Sequence, residues 1–137
     1  MLRLTEEQYQ AYLRQQAPPR APVPREAVRL MVPAYRSKTE ARFALEVLEP
    51  WQRSGPSRAW WYEPLTLILA PGVRYTVDFM TVGGDKDDVT FYEVKGAWIR
   101  DRALVKPRLA AALFPHWQFY LAQWAKQAWE YRLLRSM

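Results

Sequence analysis

The chain predicts an α/β fold: a helix, a three-stranded antiparallel meander, a second helix and a further strand, with an N-terminal arm in front and a C-terminal hairpin behind. Three observations carry this. SKTEARFALEVLE (37–49) combines a cap with an apolar stripe at helical spacing. WWYEPLTLIL, VRYTVDFMTV and VTFYEVKG then follow as strand-like segments separated by turn chemistry. A helical stretch and the alternating segment WQFYLAQW complete the order.

Residues 1–30 read as an arm and 31–137 as the folded domain. TEEQYQAYLRQQ (5–16) makes a short helix with Thr5 as N-cap and Glu6 and Glu7 in its first turn. APPRAPVPRE follows, and four prolines within seven residues favour an extended linker over helix. Such an arm is either a tail or a segment that crosses to a partner subunit or over bound DNA.

In the helix over 37–49, Ser37 and Glu40 have capping-box spacing, Phe43, Ala44, Val47 and Leu48 form the apolar stripe, and Pro50 is expected to stop it. RSGPSR is a loop. The first strand spans 60–69, where Pro64 marks an edge position or a break. APG turns the chain into a strand over 73–82, and GGDKDD turns it again into a strand over 89–95. Asp85, Asp87 and Asp88 form a solvated turn that lacks the ligand spacing of a calcium loop. The second helix covers 101–114 with Asp101 as cap. Proline inside a helix costs roughly 3 kcal/mol, so Pro107 moves the start of its regular part toward Lys106. A fourth strand spans 117–124. At 129–134 helix propensity is good, but Trp129, Tyr131 and Leu133 alternate with Glu130 and Arg132, and a hairpin strand is predicted.

Half of the 137 residues are hydrophobic and 15% are aromatic, enough for one globular domain. The N-terminus is charged and amphipathic rather than a signal peptide. No apolar run approaches the roughly 20 residues that span a bilayer, so the expected protein is soluble, cytoplasmic and without a membrane partner. The absence of cysteine excludes disulfides, thiolate zinc sites and cysteine nucleophiles, and the single histidine, His116, excludes His-pair zinc motifs. Any metal must then be held mainly by oxygen, which favours Mg²⁺, with Mn²⁺ as the substitute. A net charge of +6 and fifteen arginines among twenty basic residues suit a polyanionic partner.

The residues that carry chemistry are Asp78, Glu93 and Lys95. Fourteen residues lie between the two acids, and both acids sit in apolar strands. Alternation puts Glu93 and Lys95 on one face, with Tyr92 and Val94 on the other. Charges near a core are costly unless compensated, and a divalent cation facing a phosphate is the compensation this set suits.

An acid on the second strand followed by acid-x-Lys (Glu93-Val94-Lys95) at the end of the third resembles the PD-(D/E)xK nuclease superfamily. SKTEARFALEVL, YEPLTLIL, RYTVDFM, FYEVKG and KPRLAAALFP are similar to phage-encoded nucleases related to archaeal-type Holliday junction resolvases. The likeness runs from Ser37 to about Trp124, and Val77 stands where the motif's name has proline. The resemblance implies a restriction-endonuclease-like core. It also implies a Mg²⁺-dependent endonuclease that resolves four-way DNA junctions as a homodimer, in the host cytoplasm if phage-encoded. Asp78, Glu93, Glu40 and the Val94 carbonyl would hold the metal, and Lys95 would orient the attacking water or offset charge in the transition state.

Plainer roles stand beside these. Glu40 completes a capping box, Asp78 bonds a neighbouring turn, and Lys95 guards a sheet edge. Arg36 and Lys38, with Arg100, Arg102, Lys106 and Arg108, are the candidate DNA contacts; the alternative is a solvated helix face. Glu63 is a strand-end acid or a neighbour of the site. Trp60, Trp61, Trp98 and Trp117 are expected in the core or at a dimer interface, and Trp117, Phe119 and the terminal hairpin are the interface candidates. A flap, mismatch or single-strand-specific endonuclease of the same fold is the first alternative. A non-catalytic DNA-binding accessory protein is the second.

Overall fold

A computed structural model describes Thr5, Glu7, Gln8, residues 35–84 and residues 88–136. The remainder of the expected arm, and Asp85 and Asp87, lie outside the described residues. The expected Thr5 cap is present: Thr5 Oγ1 accepts the Gln8 N–H at 3.1 Å, and Gln8 Oε1 accepts the Thr5 N–H at 3.0 Å.

The strands of the described residues are β1 (Ala59–Tyr62), β2 (Thr66–Ala70), β3 (Val73–Thr76), β4 (Phe79–Val82), β5 (Val89–Lys95), β6 (Gln118–Ala125) and β7 (Ala128–Leu133). Among the described residues the helical segments of the domain are α1 (Lys38–Phe43), a π-helical stretch (Ala44–Leu48), α2 (Glu49–Arg53), α3 (Val105–Leu113) and a 3-10 turn at Leu134–Ser136. The main sheet has the order β1-β4-β5-β6-β7; β2 and β3 form a separate pair. β1/β4 and β4/β5 are antiparallel, while β5/β6 is parallel because α3 carries the chain across between them. The fold is therefore α/β with a mixed sheet. Among the described residues no helix is long and apolar enough to cross a membrane.

One departure from expectation governs the rest. The segments 60–69 and 73–82 are not two continuous strands but a long hairpin that bends in the middle. Pro64 removes a ladder donor, and Glu63 beside it takes φ +46°. On the opposing arm, Val77 and Asp78 fall between β3 and β4. Two backbone bonds hold the arms together through the bend: Glu63 N–H to Asp78 C=O at 2.7 Å and Val77 N–H to Leu65 C=O at 3.3 Å. The distal half, β2/β3, thus folds over one face of the main sheet.

That face holds the larger core. Leu67, Leu69 and Tyr75 from the folded-over pair meet Met80, Phe91, Phe119 and Leu121 of the sheet and Ala110, Ala111 and Phe114 around α3. The other face packs Phe79, Val94 and Ala122 beneath Phe43, Ala44 and Leu48 of the first helical arm, with Val47 beside them. The predicted stripe of that arm is its buried side.

Helix ends differ from expectation in two places. Pro50 does not stop the first helical arm, which continues to Arg53. An interior proline clashes with the carbonyl four residues back, here that of Glu46. That carbonyl lies in the π-helical stretch, where Glu49 N–H reaches Ala44 C=O and the wider turn accommodates the ring. Asp101 caps nothing: 101–104 are turns, and α3 starts at Val105 with Pro107 in its first turn, where a missing N–H is tolerated. The terminal strand β7 is formed, through a two-residue turn in which Lys126 and Gln127 take φ +54° and +62°.

Two interface candidates are core instead. Phe119 is 2% exposed, and Trp117 is half-buried, its ring 5.2 Å from those of Phe91 and Phe114. In contrast, Trp98 is 77% exposed and belongs to no core.

The close approach of the β4 end to the loop before β1 can be tested. A Cβ on Gly83 (φ +111°) would lie 2.1 Å from the Ser57 carbonyl oxygen, whereas one on Gly72 (φ +75°) meets open space. Urea denaturation is expected to show Gly83→Ala losing more than about 2 kcal/mol and Gly72→Ala only about 1 kcal/mol, the left-handed backbone term alone. Equal losses would contradict the contact.

Candidate functional site

The bend assembles the candidate site. β4 begins at Phe79, paired with Tyr92, so β5 runs on toward Lys95 without a β4 partner. Asp78 fills the gap: its Oδ2 accepts the Val94 N–H at 2.8 Å and satisfies a donor the ladder leaves open. The β4/β5 register, continued by one residue, sets Asp78 opposite Glu93.

Glu93 is 7% exposed, and both its oxygens are engaged. Oε2 accepts the Tyr75 hydroxyl at 2.5 Å, and Oε1 faces Lys95 Nζ at 3.2 Å. Glu93 and Lys95 share a face, as alternation requires, while Val94 packs into the opposite core. Tyr75 reaches Glu93 because β3 is folded over the sheet.

Glu40 approaches from α1. Ser37 Oγ accepts the Glu40 N–H and donates to Glu40 Oε1, both at 3.1 Å, so Ser37 caps α1 as expected, while Glu40 returns its bond to the Ser37 hydroxyl rather than to the backbone N–H of a full capping box. Oε2 accepts the Tyr62 hydroxyl at 2.6 Å, and that hydroxyl in turn accepts the Arg36 N–H at 3.0 Å. Helix cap and site neighbour are compatible, because the Glu40 charge acts on both Asp78 and Glu93.

Burial is the main force on the two strand acids. It pushes Asp78 from an ordinary 3.8 up to about 8, with repulsion from Glu93 adding to it and the Val94 N–H opposing it. Glu93 is also raised by burial, against which the Tyr75 hydroxyl and Lys95 pull down. Tyr75 itself is pushed well above 10 by burial and by Glu93, which keeps its hydroxyl a donor. At neutral pH the pair therefore retains a proton, and its environment favours any cation that can replace it.

Among the described residues, no three acidic or histidine side chains are grouped so as to hold a metal ion. The structure brings Asp78, Glu93, Lys95 and the Val94 backbone together, with Glu40 as an electrostatic neighbour. Arg36 and Lys38 lie exposed at the start of α1, and Arg36 Nε is 2.9 Å from Glu63 Oε1. Arg100, Arg102, Lys106 and Arg108 are exposed between β5 and the middle of α3. Compared with known proteins, the chain stands apart. No family model, curated protein or solved structure matches it.

Sequence reasoning missed Tyr75 and Tyr62, the hydroxyls that hold Glu93 and Glu40. Tyr75 is three residues from Asp78 in the same strand-like string, and only the bend reveals its partner. The one available signal was a tyrosine in an otherwise apolar strand, whose hydroxyl needs a partner once buried.

Two outcomes are expected. A carboxyl whose folded value is raised favours the fold fully below its unfolded value and loses that contribution as pH rises through the folded one. Metal-free protein should therefore lose stability between about pH 4 and pH 8. Thermal melts should show a smaller loss over this range for Asp78→Asn; an identical pH dependence would contradict the buried charge. Tyr75→Phe removes a hydrogen bond to a buried carboxylate and should cost about 1.5–3 kcal/mol in urea denaturation at pH 8, against well under 1 kcal/mol if the bond is absent.

Proposed function

We propose that the chain is a metal-dependent, structure-specific DNA endonuclease on a restriction-endonuclease-like core, resolving four-way junctions to leave 5′-phosphate and 3′-hydroxyl ends. The observation that carries the reading is the pair Asp78–Glu93 at neighbouring strand ends, Glu93 buried and Asp78 half-buried, with Lys95 on the Glu93 face. The order of one helical arm, three antiparallel strands, a crossover helix and a parallel strand supports the core assignment.

The donor set fits a hard divalent cation: carboxylates, a backbone carbonyl, and an environment that penalises two uncompensated negative charges. Asp78, Glu93 and the Val94 carbonyl would hold Mg²⁺ or Mn²⁺, with Glu40 behind them. When bound, such an ion supplies a Lewis acid that lowers the pKa of water and offsets charge on the phosphate. Lys95 is more exposed than its partner. Its side chain, 31% exposed, neutralises Glu93 here, and once released its ammonium would orient the attacking water or meet charge on the phosphoryl oxygens. Tyr75 and the Val94 N–H keep the two carboxylates from turning away. Paired cuts across a junction need two such sites, so the reading carries a homodimer.

A second reading, non-catalytic DNA binding, is favoured by two observations: Lys95 already neutralises Glu93, and no three-acid group is gathered among the described residues. Cleavage separates the two. With Mg²⁺, four-way junctions should be cut in preference to linear duplex of the same sequence, and Asp78→Asn or Lys95→Ala should slow cutting by about 100-fold or more. Equal cutting of duplex would sink the junction preference, and no cutting of any branched DNA would leave the binding reading.

A further inference from the structure

The loop that leaves the candidate site carries a feature that catalysis does not use. Trp98 is 77% exposed, the largest exposure among the large apolar side chains of the described residues. Removing a tryptophan from water is strongly favourable, so leaving one in water signals a partner. Its base is fixed: Gln123 Nε2 on β6 donates to the Gly96 and Ala97 carbonyls, both at 3.2 Å. Beyond it the chain is held by turns, Ala103 N–H to Arg100 C=O at 3.1 Å and Val105 N–H to Arg102 C=O at 3.2 Å. The ring therefore projects from an anchored loop.

Its surroundings are cationic. The Arg100 guanidinium lies 5.8 Å from the ring centroid, and Arg102, Lys106 and Arg108 follow, all exposed. Against these four cations stands one exposed acid, Asp101. Val105 and Leu109, 58% and 38% exposed, add apolar area on α3 and would suit a second copy of the chain equally well. Charge decides against that occupant. A two-fold interface sets a patch against itself, and this patch would face its own excess of cations.

An exposed aromatic ring with one arginine against it and three more exposed cations within the next ten residues matches a nucleobase flanked by phosphates. We propose that Trp98 is a stacking platform for an unpaired base, with Arg100, Arg102, Lys106 and Arg108 holding the adjoining backbone. Trp98 is three residues on from Lys95, a Cα–Cα reach of at most about 10 Å, or roughly three nucleotides at about 3.4 Å each. Resting on the nuclease reading, this places the unpaired base within a few nucleotides of the cut. The substrate class is then DNA with splayed or unpaired bases at the site, rather than continuous duplex.

The test uses the full chain, without divalent metal, and fluorescence anisotropy with two labelled probes: an oligo-dT 20-mer and a fully paired 20-base-pair duplex. Trp98→Ala should weaken oligo-dT binding by roughly 5- to 100-fold, Trp98→Phe should keep most of it, and duplex binding should change less than twofold. Equal losses on both probes, or none on oligo-dT, would overturn the platform. So would conversion of a dimer to a monomer by Trp98→Ala in sedimentation, with DNA binding unchanged. Trp98-dependent oligo-dT binding without cleavage of branched DNA would remove the nuclease reading and leave the platform. Cleavage of junctions with oligo-dT binding indifferent to Trp98 would do the reverse.

Discussion

The bend in the long hairpin is the constraint on which the candidate site depends. Pro64 cannot donate to the ladder, Glu63 turns to positive φ, and Val77–Asp78 opposite them leave the strand. Had the hairpin run straight, Tyr75 would stand far from Glu93, and Asp78 would be one more residue of a paired strand. Folding the hairpin over buries Leu67, Leu69 and Tyr75 on the sheet, and this apolar contact is what stabilises the bend. The same motion frees Asp78 to accept the Val94 N–H. Core packing and site geometry are thus one event.

Its electrostatic consequence is a site under tension. Glu93 is buried and Asp78 half-buried beside it, and each is raised above its ordinary range. Tyr75, Lys95 and the Val94 N–H oppose this only in part. Carboxylates kept this way are poor structural groups, since a buried ion pair is seldom better than apolar packing. They are well suited to exchange a proton, or the Lys95 ammonium, for a more compact charge. This contrast between structural cost and chemical use is the reason to assign them a function.

Much of this was legible in the sequence, for physical reasons. Alternation alone set Glu93 and Lys95 on one face against Val94, because a strand has a rigid period of two. The Ser37–Glu40 cap, the strand at β7 and the order of elements rest on equally local rules. Three features depended on tertiary context instead. A proline such as Pro64 can mark an edge or a break, and only the apolar partners of β2/β3 decide for the break. Pro50 stops an ordinary helix, but the π-helical turn before it, under Phe43 and Leu48, lets the chain continue. Alternation in WQFYLAQW could not tell a core face from an interface, and Phe119 and Trp117 belong to the core because α3 and Phe91 cover them. Trp98 inverts that lesson: nothing in its neighbours distinguishes it from the half-buried tryptophans except the cations that follow.

The central claim is that the bend builds a divalent-cation site from Asp78 and Glu93. Calorimetric titration of Mn²⁺ into the metal-free protein in two buffers of different ionisation enthalpy tests it most directly. The account predicts saturable binding, accompanied by proton release at pH 7 and abolished by Asp78→Asn. Binding that is absent, or that survives Asp78→Asn unchanged and releases no proton, would contradict it.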